Sequence, residues 1–75
     1  MIEPLIHINR KFRIPLSDIL AVIQRNSKVY IKYADKKRKS PTYAIYRGEM
    51  HNIVNIINQA KIIRGETPLI GIIEK

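Results

Sequence analysis

The stretch from Lys28 to Arg47, KVYIKYADKKRKSPTYAIYR, constrains the fold of this chain more than any other. Val29, Ile31 and Tyr33 alternate with Tyr30 and Lys32, the period-two pattern of a strand with one buried face. Tyr43, Ala44, Ile45 and Tyr46 form a second short run of strand-favouring residues. Between the two runs, Asp35 and Ser40-Pro41 are turn formers, so Lys36, Lys37, Arg38 and Lys39 are expected on an exposed tip. Four adjacent cations repel one another and order poorly unless an anion meets them, and phosphate is the commonest such partner. The competing reading is a solvated loop that keeps a small protein soluble.

With 75 residues the chain is expected to be one domain, 1–75, with a single small core. Fourteen Lys plus Arg against six Asp plus Glu give a formal charge of +8, which suits nucleic acid or an anionic membrane surface and does not suit a basic substrate. The absence of cysteine excludes a disulfide framework and thiolate chemistry, so the cytoplasm is the expected compartment. The N-terminal run MIEPLIHINRK carries an acid and only a brief apolar segment, unlike a signal peptide, and no run approaches a membrane span.

Before the tyrosine-rich stretch, Leu5, Ile6 and Ile8 around His7 read as a first strand, and Asn9–Arg13 as a basic connection. Pro15 suits the first turn of a helix. Leu16, Ile19, Leu20 and Ile23 fall at i, i+3, i+4 and i+7, which predicts a helix over Pro15–Asn26. A strand through Ile19–Val22 is the alternative. After Gly48, the residues Met50, Ile53, Val54, Ile57 and Ala60 share one helical face, with Asn52, Asn55 and Gln59 pointing away. Ile62–Arg64 and Leu69–Ile73 then read as a closing strand pair turned by Gly65–Pro68. The expected fold is a small α+β two-layer sandwich, a mixed sheet with two helices, in the order β-α-β-(β)-α-β-β.

No catalytic constellation emerges. His7 and His51 lie far apart with no cysteine or acid at metal-ligand spacing, and the three glycines at 48, 65 and 71 are too isolated to cradle a phosphate. Ser17-Asp18 has no histidine at hand, and helix capping accounts for both residues. The expectation is a protein that is not an enzyme and uses no metal, cofactor or small-molecule substrate. What remains is cations and rings. Tyr30, Tyr33, Tyr43 and Tyr46 either pack under the helices or offer stacking surfaces for unpaired bases. Tyr30 and Lys32 should share the face opposite Val29 and Ile31, which makes Tyr30 the better candidate for an exposed ring.

The run IHINRKFRIPLSDILAVIQRN followed by SKVYIKYA resembles the start of Alba, the family of small basic archaeal chromatin proteins. Ile6 and Ile8, Arg10-Lys11, Ile19-Leu20-Ala21-Val22 and Ile31-Lys32 stand in the family's order. The resemblance implies a β-α-β-α-β-β fold and a homodimer that binds DNA or RNA with little sequence preference. It implies that Arg10 and Lys11 match the lysine pair that contacts nucleic acid, that Arg47-Gly48 stands near the start of the second helix, and that Arg64 falls near the basic arm. A second stretch, PLSDILAV, then KVYIKYADKK, then YRG before a helix, is similar to the opening of LytTR-type DNA-binding domains. That likeness implies a strand over Pro15–Val22 and sequence-specific duplex binding.

The expected function is binding of DNA or RNA through backbone phosphates, chromatin-like or regulatory. The expected contacts are Arg10, Lys11, Arg13, Tyr30, Lys32, Lys36, Lys37, Arg38, Lys39, Arg47 and Arg64. The reading from a different class is a small viral or plasmid adaptor whose basic face docks on an acidic protein.

Overall fold

Strand-favouring residues in alternation do form the centre of the molecule. A computed structural model describes residues 3–74. In chain order the elements are β1 (Leu5–His7), β2 (Arg13–Pro15), β3 (Ile19–Arg25), β4 (Lys28–Tyr33), β5 (Thr42–Tyr46), α1 (Met50–Ile63) and β6 (Ile72–Glu74). β1 and β2 pair as a separate antiparallel hairpin, with Ile6 opposite Ile14. The other strands form one mixed sheet in the order β5-β4-β3-β6, in which only the β3–β6 pairing is parallel. The chain is thus an α+β domain with one α-helix among the described residues. Its radius of gyration, 11.9 Å, is close to the roughly 11 Å expected of a compact chain of this length.

The helix expected over Pro15–Asn26 is corrected: Leu16–Asp18 make one 3-10 turn, and Ile19–Arg25 is strand β3. The misleading feature is a threefold spacing. Leu16, Ile19 and Val22 are all buried, three residues apart. A 3-10 turn returns to the same side every three residues. A bulge between Ile19 and Ala21 then adds a residue to the strand, so Ile19 and Val22 share a face despite their odd separation. Turn and bulge thus bring Leu16 and Ile19 to one side, and the expected stripe was completed only by Leu20 and Ile23, which are apolar but do not share that side. Leu20, placed on the buried face by that stripe, is 50% exposed. Asn26 and Ser27 do not end a helix but link β3 to β4. Their φ values of 51° and 66° are the left-handed pair that a two-residue hairpin turn needs to match strand twist.

The second helix follows its sequence pattern. Ile53 and Ile57 are fully buried, with Met50, Val54 and Ala60 packed beside them, while Asn52, Asn55 and Gln59 are exposed. It runs further than expected, because Ile62 and Ile63 belong to its last turn and not to a strand. Gly65, at φ 74°, ends it. Its N–H donates to the Ile62 carbonyl at 3.0 Å and the Glu66 N–H donates to the Lys61 carbonyl at 2.8 Å, the paired bonds of a Schellman cap. The expected closing strand pair is therefore absent. Only Ile72–Glu74 is a strand, and it joins β3 in parallel. Such a partner requires a crossover, which here carries α1 across one face of the sheet.

The Asn58 amide fixes the return path, donating to the Leu69 carbonyl and accepting from the Leu69 N–H, both at 2.8 Å. Gly71 lets that path pass close to the helix, since a Cβ there would stand 2.9 Å from the Met50 sulfur. At the other end, the Ser17 hydroxyl and backbone N–H donate to the Glu3 carboxylate and hold its pKa below the ordinary value. No helix among the described residues is long and apolar enough to cross a membrane.

The core is one cluster. Ile6, Ile8, Ile14 and Leu16 from the N-terminal segment meet Ile19, Val22, Val29 and Ile31 from one sheet face and Ile53 and Ile57 from α1. This arrangement separates two leucines that a helical reading treats alike. Leu16→Ala should destabilise the protein by about 2–5 kcal/mol, as for other fully buried leucines. Leu20→Ala should cost about 1 kcal/mol or less, because half of that side chain already faces water. Urea denaturation of the two variants checks this, and equal losses would restore the helix.

Candidate nucleic-acid interface

Two loops on this frame carry adjacent cations, and the same local device shapes both. In the β1–β2 loop, the Asn9 side chain accepts the Lys11 N–H at 2.9 Å, and the Ile8 N–H donates to the Phe12 carbonyl at 3.0 Å. In the β4–β5 loop, the Asp35 carboxylate accepts the Lys37 N–H at 3.0 Å, and its carbonyl accepts the Arg38 N–H at 2.9 Å. An Asn or Asp that bonds the backbone two residues on fixes a turn without help from the intervening side chains. Arg10 and Lys11 on one tip, and Lys36 to Lys39 on the other, are left exposed. The exposed tip expected from Asp35 and Ser40-Pro41 is present.

The loops are neighbours in space. Arg10 and Lys11 line a hollow of about 620 Å³ with Asn9, Ile45 and Arg47. Arg13 lines a second hollow of about 310 Å³ with Lys36 and Lys37, Phe12, Tyr33 and two acids, Asp18 and Asp35. The segment Asn9–Pro15 borders both, so it joins Arg47, Arg10 and Lys11 to Arg13, Lys36 and Lys37 in one basic strip. Beneath the second hollow, Phe12 packs edge-on against Tyr33 with ring centroids 5.7 Å apart.

The β4 residues divide as their alternation predicts. Val29 and Ile31 are buried, while Tyr30 and Lys32 lie half-buried on the opposite side. That opposite, outer face of the sheet is covered by no element among the described residues. One cross-strand row holds Ile72, Ile23, Tyr30 and Ile45, and the next holds Ala21, Lys32 and Tyr43. Tyr43, Ile45 and Ile72 are each about half exposed. Tyr33 and Tyr46, by contrast, pack against the core.

The acids explain where free positive charge remains. Glu66 pairs with Arg64 at 2.8 Å and with Lys61 at 3.8 Å. Glu74 accepts two bonds from Arg25, at 2.7 and 3.0 Å, which raises the Arg25 pKa further. Asp35 holds Arg38 loosely at 3.9 Å. Among the described residues, Arg10, Lys11, Arg13, Lys28, Lys32, Lys36, Lys37, Lys39 and Arg47 form no ion pair. Arg64 stands apart from the other expected contacts: it pairs with Glu66 at the C-terminal end of α1 and lines neither basic hollow. Tyr43, one of the four rings considered for stacking, lies on the outer face, and so does Lys28, which is outside the expected set; the β3–β4 register that puts Lys28 opposite Arg25 depends on the Asn26-Ser27 turn, where a helix end was expected.

An unpaired ammonium or guanidinium on an ordered loop is suited to a phosphate oxygen, and an exposed ring beside it is suited to a base. In comparisons with protein-family models, curated proteins and solved structures, no match to this chain was found.

Proposed function

We propose that this protein binds DNA or RNA through backbone phosphates, with little sequence preference, in a chromatin-like or regulatory role in the cytoplasm. The observation that carries the reading is the strip formed by Arg47, Arg10, Lys11, Arg13, Lys36 and Lys37, none of which has an ion-pair partner among the described residues. Point charges of this kind neutralise phosphates and carry no base readout, so they attract unrelated sequences alike. The reading rests on this charge and not on the likeness to Alba, since β3 stands where that family has its first helix. The role is binding and not catalysis.

We further propose that two copies associate. Ile63 and Ile70 are each 85% exposed and Ile73 is 67% exposed, more apolar surface than a chain of this size gains by leaving in water. Sedimentation equilibrium should give the dimer mass at micromolar concentration, and a monomer mass up to millimolar concentration would contradict the association.

A second reading draws support from β3, because Ile19–Val22 is strand as the likeness to LytTR-type domains implies, although Leu16–Asp18 of the implied Pro15–Val22 strand is a 3-10 turn. It requires sequence-specific duplex binding. Repeated selection from a random duplex pool would converge on one sequence under that reading and stay diverse under the first.

Salt dependence tests the primary reading. With about 5 phosphates neutralised on duplex DNA, the log–log slope of affinity against salt should be roughly −4 to −5. Replacing Lys36, Lys37 and Lys39 with Ala should flatten it by about 2–3, and replacing Arg10, Lys11 and Arg47 should do the same. Arg64→Ala should leave it unchanged. An unaltered slope in folded variants of either group would reduce that loop to a solubilising element.

A further inference from the structure

We infer that the uncovered outer face of the sheet is a platform for unpaired bases, so that the ligand is single-stranded nucleic acid in preference to duplex. This rests on the nucleic-acid reading above and narrows its substrate class. The basic strip by itself would serve either form, because phosphates are common to both. The outer face would not, because bases in a duplex are stacked on each other and hide their π-faces from a flat protein surface.

Three features of this face fit a single strand. Tyr30 and Tyr43 lie on neighbouring strands in adjacent rows, Tyr30 opposite Ile45 and Tyr43 opposite Lys32. Such diagonal neighbours are within reach of one another across an antiparallel pair. They border a hollow of about 340 Å³ together with Ile23, Arg25 and Glu74. Ile23, Ile45 and Ile72 extend the surface around the rings as an apolar floor, which suits flat, weakly hydrated bases.

Charge then selects among possible occupants. Lys28 and Lys32 stand on this face without ion pairs, and Arg25 is balanced by Glu74. Beyond the β5 edge, Ile45 borders the same hollow as Arg10, Lys11 and Arg47. A strand whose bases rest on the tyrosines could therefore lay its phosphates on the basic strip. A second copy of this chain, itself +8, would instead bring Lys28 and Lys32 against like charges. The apolar face is thus matched to a polyanion with exposed rings.

The test uses fluorescence anisotropy with an oligothymidylate of about 12 nucleotides and a duplex of the same length, at one salt concentration and then across a salt series. The wild type should bind the single strand about 10-fold or more tightly than the duplex. Tyr43→Leu, at a ring already 54% exposed, should keep the fold and weaken single-strand binding by about 5–100-fold, the range for loss of one stacked base. Duplex affinity and salt slope should stay as they were. Tyr30→Leu should behave likewise, whereas Tyr30→Phe and Tyr43→Phe, which keep the ring, should remain near wild type. The platform is overturned if a wild type with the expected salt slope binds both forms equally, or if the Phe variants fall as far as the Leu variants. It is also overturned if Tyr43→Leu dissociates a dimer. A wild type that binds neither nucleic acid at low salt would instead overturn the underlying nucleic-acid reading, and the platform with it.

Discussion

One-sided burial governs this molecule. The chain has a single α-helix among its described residues and a short hairpin to set against a four-stranded sheet, and both pack on the same side. Ile53 and Ile57 from the helix, and Ile6, Ile8, Ile14 and Leu16 from the N-terminal segment, close over Ile19, Val22, Val29 and Ile31. Burying apolar area is the main favourable term in folding, and a small domain has little of it to divide. Placing all the cover on one face gives a dry core. It also leaves the other face, with Tyr30, Tyr43, Ile23, Ile45 and Ile72, open to solvent.

The electrostatics follow the same division. Four of the six carboxylates sit at structural junctions: Glu66 at the helix end, Glu74 on β6, Glu3 under the 3-10 turn and Asp35 inside its own loop. Each is engaged by a neighbouring donor, and these bonds draw in Arg25, Arg38, Lys61 and Arg64. The unpaired cations are left on the two Asn/Asp-shaped loops, at the end of β5 and on the open face. Most of these cations, Arg10, Lys11, Arg13, Lys36, Lys37, Lys39 and Arg47, lie on or beside the two loops, and clustered charge of one sign raises encounter rates with polyanions.

Much of this was legible in the sequence, and the failures have a common origin. The β4 alternation, the exposed Lys36–Lys39 tip and the α1 stripe follow from local rules that tertiary contacts did not override. The β3 segment was hidden because Leu20 and Ile23, apolar but off the buried face, complete a helical spacing with buried Leu16 and Ile19, and neither the 3-10 turn nor the bulge leaves a residue signature in Ile-Leu-Ala-Val. The end of α1 was misplaced because Ile62-Ile63 is as strand-like as helix-like in composition; the deciding residue was Gly65, whose left-handed backbone ends the helix after them. Arg64 looked like a free cation in sequence because its partner, Glu66, is brought to it by that same cap. The outer face was only half visible, since Tyr30 and Lys32 reveal their side by alternation but Tyr43, Ile45 and Ile72 need the sheet register.

In the proposed function one contiguous surface, the basic strip together with the open sheet face, meets the nucleic acid. Amide chemical-shift mapping during titration with an unstructured oligonucleotide reads it most directly. Shifts are expected at Asn9–Arg13, Ile23, Lys28, Tyr30–Lys32, Lys36–Lys39, Tyr43–Arg47 and Ile72, with Asn55, Gln59 and Arg64 on the helix side unmoved. Shifts centred on α1 and its C-terminal cap, with the two loops silent, would contradict it.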